Sequence, residues 1–190
     1  MVMEELQEIK NMWAEINNRL IHLEEENRRL ARKAINEKYK NAQERLISKY
    51  RTFIIIEVIM IIYVYLFIFY NPMVGEKYKL LTTIYWIIFF IGETAFDSYL
   101  MYRVQEIDIY GSSVREITRK AALNWKIHKI GIAIGFPLAI GAVVLFALAM
   151  DANEFVYMGM TVGFIVGLVI GLRQLYKFMK YYKLLQSPEE

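Results

Sequence analysis

"SKYRTFIIIEVIMIIYVYLFIFYNP", residues 48 to 72, decides what kind of protein this is. From Thr52 to Tyr70 the only charge is Glu57. A helix of ~20 mostly apolar residues is what a hydrocarbon layer ~30 Å thick requires. Working outward, three more blocks have that character, from about Leu80 to Tyr102, Ile127 to Met150 and Phe155 to Leu172. The second is the weakest, because its uninterrupted apolar stretch stops at Gly92 and Glu93 and Asp97 follow. The chain is 56% hydrophobic and 15% aromatic, and the concentration of that content in blocks separates it from an ordinary soluble domain.

The expected fold is therefore all-α: a polytopic membrane protein with four transmembrane helices, cytoplasmic helical extensions and an N-terminal coiled-coil arm. Residues 1–51 form the arm and stalk, 52–172 the transmembrane bundle with a cytoplasmic connection over 103–126, and 173–190 a basic and aromatic tail. Lys and Arg fix the sidedness, since they resist translocation when they lie close to a span. Eleven fall in residues 1–51, six in 103–129 and four after Leu172, against two in 71–79 and none in 151–154. Four crossings then place both termini in the cytoplasm, with no outer segment larger than "NPMVGEK" and "DANE", which carry turn residues suited to antiparallel helices. The charged first 50 residues lack the apolar core and cleavage site of a signal peptide, so the N-terminus should be retained and the first span should act as an uncleaved anchor.

In the middle connection "YGSSVREI", Gly111 should end the second helix and Ser113 start the third. Ser113 and Glu116 have capping-box spacing, and Pro137 marks an expected kink farther on.

The arm carries a seam. With position a at 6, 13, 20, 27 and 34 and position d at 9, 16, 23 and 30, the residues are Leu6, Ile9, Trp13, Ile16, Leu20, Leu23, Asn27, Leu30 and Ala34. This is the 3.5-residue repeat of a left-handed coiled coil. In a parallel dimer Glu5 would attract Lys10 and Arg19 would attract Glu24, while Lys33 would repel Lys38. An Asn at one a position lets two amides bond across the seam, which sets register and favours two strands. After Ala34 the apolar positions move by one, to Ile35, Tyr39, Ala42, Leu46 and Phe53, as if the arm exchanged a partner helix for the protein's own extensions. The competing reading lays the whole arm against those extensions.

Two sets of small residues lie at four-residue spacing: Gly131, Gly135 and Ala139 in the third span, and Gly159, Gly163, Gly167 and Gly171 in the fourth. Small residues let helices approach closely in lipid, so a tight hairpin of the last two spans is expected, with a contact between subunits as the alternative.

Glu57, Glu93 and Asp97 sit in the inner half of the first two spans. Charges at that depth need partners. Arg51, Arg103, His128, Lys129 and Arg173 are the candidates, in a ring that would fix helix rotation. The sharper alternative is a proton or cation path.

Other chemistry is scarce. There are no cysteines, hence no disulfide, thiolate metal site or palmitoylation. His22 and His128 lack second ligands at helical spacing, no phosphate-cradling loop occurs, and neither metal nor cofactor is expected. The tail "RQLYKFMKYYKLL" interleaves cations and aromatics, a pattern for lipid headgroups rather than nucleic acid.

The arm, "EIKNMWAEINNRLIHLEEENRRLARK" followed by "ERLISKYR" and an immediate span, resembles small bacterial inner-membrane proteins with an N-terminal coiled coil. Some of these look like companions of extracytoplasmic-function sigma factors. The resemblance covers roughly the first 55 residues and carries no functional residue across. It departs from the usual anti-sigma plan of a small cytoplasmic domain, one span and an outer sensor. What it implies is regulation. The expected function is thus a non-enzymatic inner-membrane protein that self-associates as a homodimer or higher homo-oligomer and serves assembly or signalling, with a cytoplasmic protein as a further partner. The alternative is an oligomeric ion or proton channel or a small transporter.

Overall fold

The computed structural model of the chain describes residues 2–71, 74–150 and 154–187, the side chains at 2, 4–9, 76–77 and 154–156 aside. Four helices make up the fold: α1 (Val2–Tyr70), α2 (Glu76–Gln105), α3 (Val114–Ala149) and α4 (Glu154–Gln186). All four contain a segment long and apolar enough to cross a membrane, including the doubtful second block, where α2 passes through Gly92 unbroken. "DANE" lies largely outside the described residues.

The arm and the first apolar block form one helix. Residues 2–70 contain neither Gly nor Pro, so nothing interrupts the hydrogen-bond ladder, and α1 runs on for about 100 Å to Tyr70. The fourth apolar block and most of the tail are also one helix, because α4 carries through to Gln186. Ser113 does cap α3, its Oγ accepting from the Glu116 N–H at 3.3 Å. The reciprocal half of the capping box does not form, because the Glu116 carboxylate pairs with Lys120 at 2.9 Å. Pro137 lies inside an uninterrupted α3, and next to it the Tyr85 hydroxyl donates to the Leu138 carbonyl at 3.0 Å.

The helices touch in a ring, α1 with α2, α2 with α3, α3 with α4 and α4 with α1. Their packing is concentrated at the two ends. At the end carrying both termini, the arm end, Tyr39, Ala42, Leu46 and Tyr50 of α1 are buried against Leu100 and Val104, Ile107 and Ile109, Ile117 and Ala121, and Phe178, Tyr182 and Leu185. The one-residue shift after Ala34 lands on this core: Ala34 is exposed, Ile35 half-buried and Tyr39 fully buried. At the hairpin end a smaller cluster joins Val64 and Ile68 to Val74, Ala149 and Met150, and the Gly75 N–H donates to the Ala149 carbonyl at 2.8 Å. Between the ends, Ile59, Ile62, Ile88, Ile134, Val162 and Val169 are exposed. Exposure of this kind suits helices long and apolar enough to cross a membrane, since hydrocarbon surroundings would give such side chains no drive inward.

Polar contacts tie the arm end together. Gln43 Nε2 donates to the Val104 and Ile107 carbonyls at 2.8 and 2.9 Å, tying α1 to the end of α2 and to the start of the connection that follows it. Lys49 Nζ donates to Gln174 Oε1 at 2.8 Å, linking α1 to α4. In the α2–α3 connection, Asp108 Oδ1 accepts from the N–H groups of Tyr110 and Gly111, and a Cβ at Gly111 would collide with that carboxylate.

Candidate functional site

The helical arm extends past the arm-end core with no element beside it. Trp13, Ile16, Leu20, Leu23 and Leu30 are 68, 47, 57, 56 and 54% exposed, and Asn27 is exposed with them. The reading that lays residues 13–34 against the protein's own helices is therefore not what the chain does. Leu6 and Ile9 belong to α1, but their side chains lie outside the described residues. Arg19 and Glu24, candidates for attraction across a dimer seam, bond within the helix to Glu15 and Arg28, each at 2.6 Å. Exposed pairs of this kind contribute little, so they are readily exchanged.

The three acids come together on α1 and α2. Glu57 is within electrostatic reach of Glu93 and beside Thr94, and Asp97 is within reach of both glutamates. Glu57 Oε2 and Thr94 Oγ1 are buried without hydrogen-bond partners among the described residues. The expected ring of cations does not form around them. Arg103 turns instead to Asn124 Oδ1 at 2.7 Å and the Tyr99 hydroxyl at 3.0 Å, Lys129 lies over the Trp125 ring, and His128 bonds to Tyr50. Arg51 and Arg173 are exposed. Among the described residues every ion pair joins positions four apart on one helix, and none includes Glu57, Glu93 or Asp97.

His128 and the tail take part in a cluster that sequence spacing did not reveal. The Tyr50 hydroxyl stands 3.0 Å from His128 Nδ1 and 3.0 Å from the Tyr182 hydroxyl. The Phe178 ring centroid is 4.8 Å and that of Trp125 5.5 Å from the imidazole. Burial, reinforced by Tyr182 and Asp97, pushes the Tyr50 phenol well above its ordinary range, and burial pushes Tyr182 up to about 12. Both phenols therefore stay protonated and can act as donors throughout the physiological range. The tail's aromatics are thus divided: Phe178 and Tyr182 belong to the core rather than to a headgroup layer, while Tyr176 faces outward. Their spacing with Leu185, four and then three residues, is the helical core signal that the interleaved lysines obscured.

The glycines also divide. A Cβ at Gly131 would run into the Phe96 ring and one at Gly135 into the Glu93 carboxylate, so both serve the contact of α3 with α2. Gly159, Gly163, Gly167 and Gly171 have nothing within 4 Å. The expected hairpin packing of the last two spans across both glycine sets does not form; α3 and α4 meet at the arm end, through Trp125, His128, Phe178 and Tyr182. Gly131→Ala should accordingly destabilise the fold by about 1–3 kcal/mol through overpacking. Gly163→Ala should be neutral or stabilising by up to about 1 kcal/mol through helix propensity. Thermal unfolding of both variants in one detergent checks the contrast, and equal shifts would contradict it.

No family model, no curated protein and no solved structure matches the chain. Functional inference rests on the chain's own geometry. Among the described residues no group of three or more His, Asp or Glu side chains is arranged to hold a metal ion. What is present is an exposed apolar seam, a set of carboxylates without cations, and a buried His–Tyr–Tyr chain.

Proposed function

We propose that this protein is a non-enzymatic integral membrane component that self-associates through its arm and presents the resulting coiled coil for assembly or regulation. The distribution of Lys and Arg supports a cytoplasmic arm and tail, and the resemblance of the arm supports a bacterial inner membrane as the location. The observation that carries the reading is the exposure of Trp13, Ile16, Leu20, Leu23 and Leu30 at coiled-coil spacing on a helix with no intramolecular partner. Each such Leu would gain about 1.5–3 kcal/mol by burial against a second copy. A parallel homodimer also brings Arg19 of one copy to Glu24 of the other and faces the two Asn27 amides. Docking of a different cytoplasmic protein on the seam is the lesser variant.

Asn27→Leu tests the register. The variant should associate at least as tightly while its copy number or strand alignment changes, because an all-apolar seam no longer favours two aligned strands. Mass measurement and cysteine crosslinking at position 23 read both. A variant with the wild-type copy number and crosslinking pattern would remove Asn27 as the register device.

The carboxylates that lack cations favour a second reading, an oligomeric ion or proton channel or a small transporter that uses Glu57, Glu93 and Asp97. Flux into vesicles that is lost in Glu93→Gln distinguishes it from a purely structural assembly.

A further inference from the structure

A groove of about 460 Å³ runs between α2 and α3 within their membrane-length segments. Ile88, Phe89 and Phe96 of α2 face Ile130 and Ile134 of α3 across it. Gly131 and Gly135 line it too, and a side chain at either would press on Phe96 or Glu93 and crowd the space. One carboxylate lines the groove, that of Glu93, with Oε1 against Gly135. None of the ion pairs among the described residues uses it. Glu57 and Asp97 lie within electrostatic reach of it, and none of the ion pairs among the described residues includes any of the three.

We propose that this groove is a binding site for a lipophilic monocation, an ammonium or phosphonium centre on an aromatic or branched aliphatic body. The volume falls within the ~300–1,000 Å³ typical of small-molecule sites. The apolar walls match such a body, and the rings of Tyr85, Phe89 and Phe96 suit a cation with a diffuse charge. Glu93 supplies the counter-charge. Other occupants fit less well. A lipid tail fills the walls but leaves a carboxylate at membrane depth without a partner. A metal ion needs several oxygen ligands, and the groove offers one carboxylate among hydrocarbon. An anion meets three acids. The site is independent of the arm and of any association through it.

The full chain in lipid nanodiscs, titrated with tetraphenylphosphonium by equilibrium dialysis against protein-free nanodiscs, tests the proposal. Saturable binding of one cation per chain is expected. Triphenylphosphine oxide, a neutral compound of related shape, should fail to displace it. Glu93→Gln should weaken binding at least tenfold, and Ile134→Trp, which fills the groove and keeps the carboxylate, should weaken it by a similar factor. Binding no greater than in protein-free nanodiscs, effective competition by the neutral compound, or wild-type affinity in Glu93→Gln would each overturn the site. The competition experiment uses the unaltered protein, so its outcome does not depend on a variant folding.

Discussion

Leu46→Ala should lower the stability of the bundle by about 2–5 kcal/mol, the cost of a cavity where a leucine is fully enclosed. Leu46 has no exposed surface and sits in the arm-end core, where α1, α2, the α2–α3 connection, α3 and α4 converge. The packing in the apolar middle is thin by comparison, so a loss at this core has little elsewhere to compensate it. Thermal unfolding in detergent should show the drop, together with faster proteolysis in the 106–113 connection, whose Ile107 carbonyl is held by Gln43 one turn away on α1. Ile62→Ala, at an exposed position in the apolar segment of α1, should change stability by less than about 1 kcal/mol. Equal losses in the two variants would mean that the arm-end core is not what holds the helices together.

Much of this architecture was legible in the sequence for one reason: a membrane-length apolar run is set by bilayer thickness, and the four runs could be counted without knowing how they pack. Ser113 was legible because a cap is a local device, and the shift after Ala34 because a change in apolar phase moves a stripe from one helix face to another. Packing partners were harder to see. Four glycines in register look the same in sequence whether they face a helix or lipid, and in this chain those of α4 face no protein. The arm and the first apolar block differ in composition yet form one helix, because the backbone responds to Gly and Pro, and residues 2–70 have neither.

The acids show the same limit from the other side. Arg103 lies close to Asp97 in depth, but six residues at ~100° each turn it to another face of α2, where Asn124 holds it. Rotation could have excluded that pairing. Glu93 and Asp97, four residues apart, share a face and do converge with Glu57. The Tyr50, His128 and Tyr182 cluster joins three helices across long separations, and no local spacing within one helix announces it.

The second large effect concerns the arm. Leu20→Asp combined with Leu23→Asp places two charges per chain at seam positions that are solvated in the isolated helix. The fold of the bundle should be untouched, because its core begins only at Tyr39. Association should weaken at least about a thousandfold, since four leucine burials across a dimer amount to roughly 6 kcal/mol or more before the cost of burying the carboxylates is counted. The most direct measurement is the mass of the full chain in detergent at micromolar concentration, with the detergent contribution subtracted, for the wild type and this double variant. Self-association through the arm requires a dimer or higher homo-oligomer for the wild type and a folded monomer for the variant; a monomeric wild type, or the same oligomer in both, would refute it.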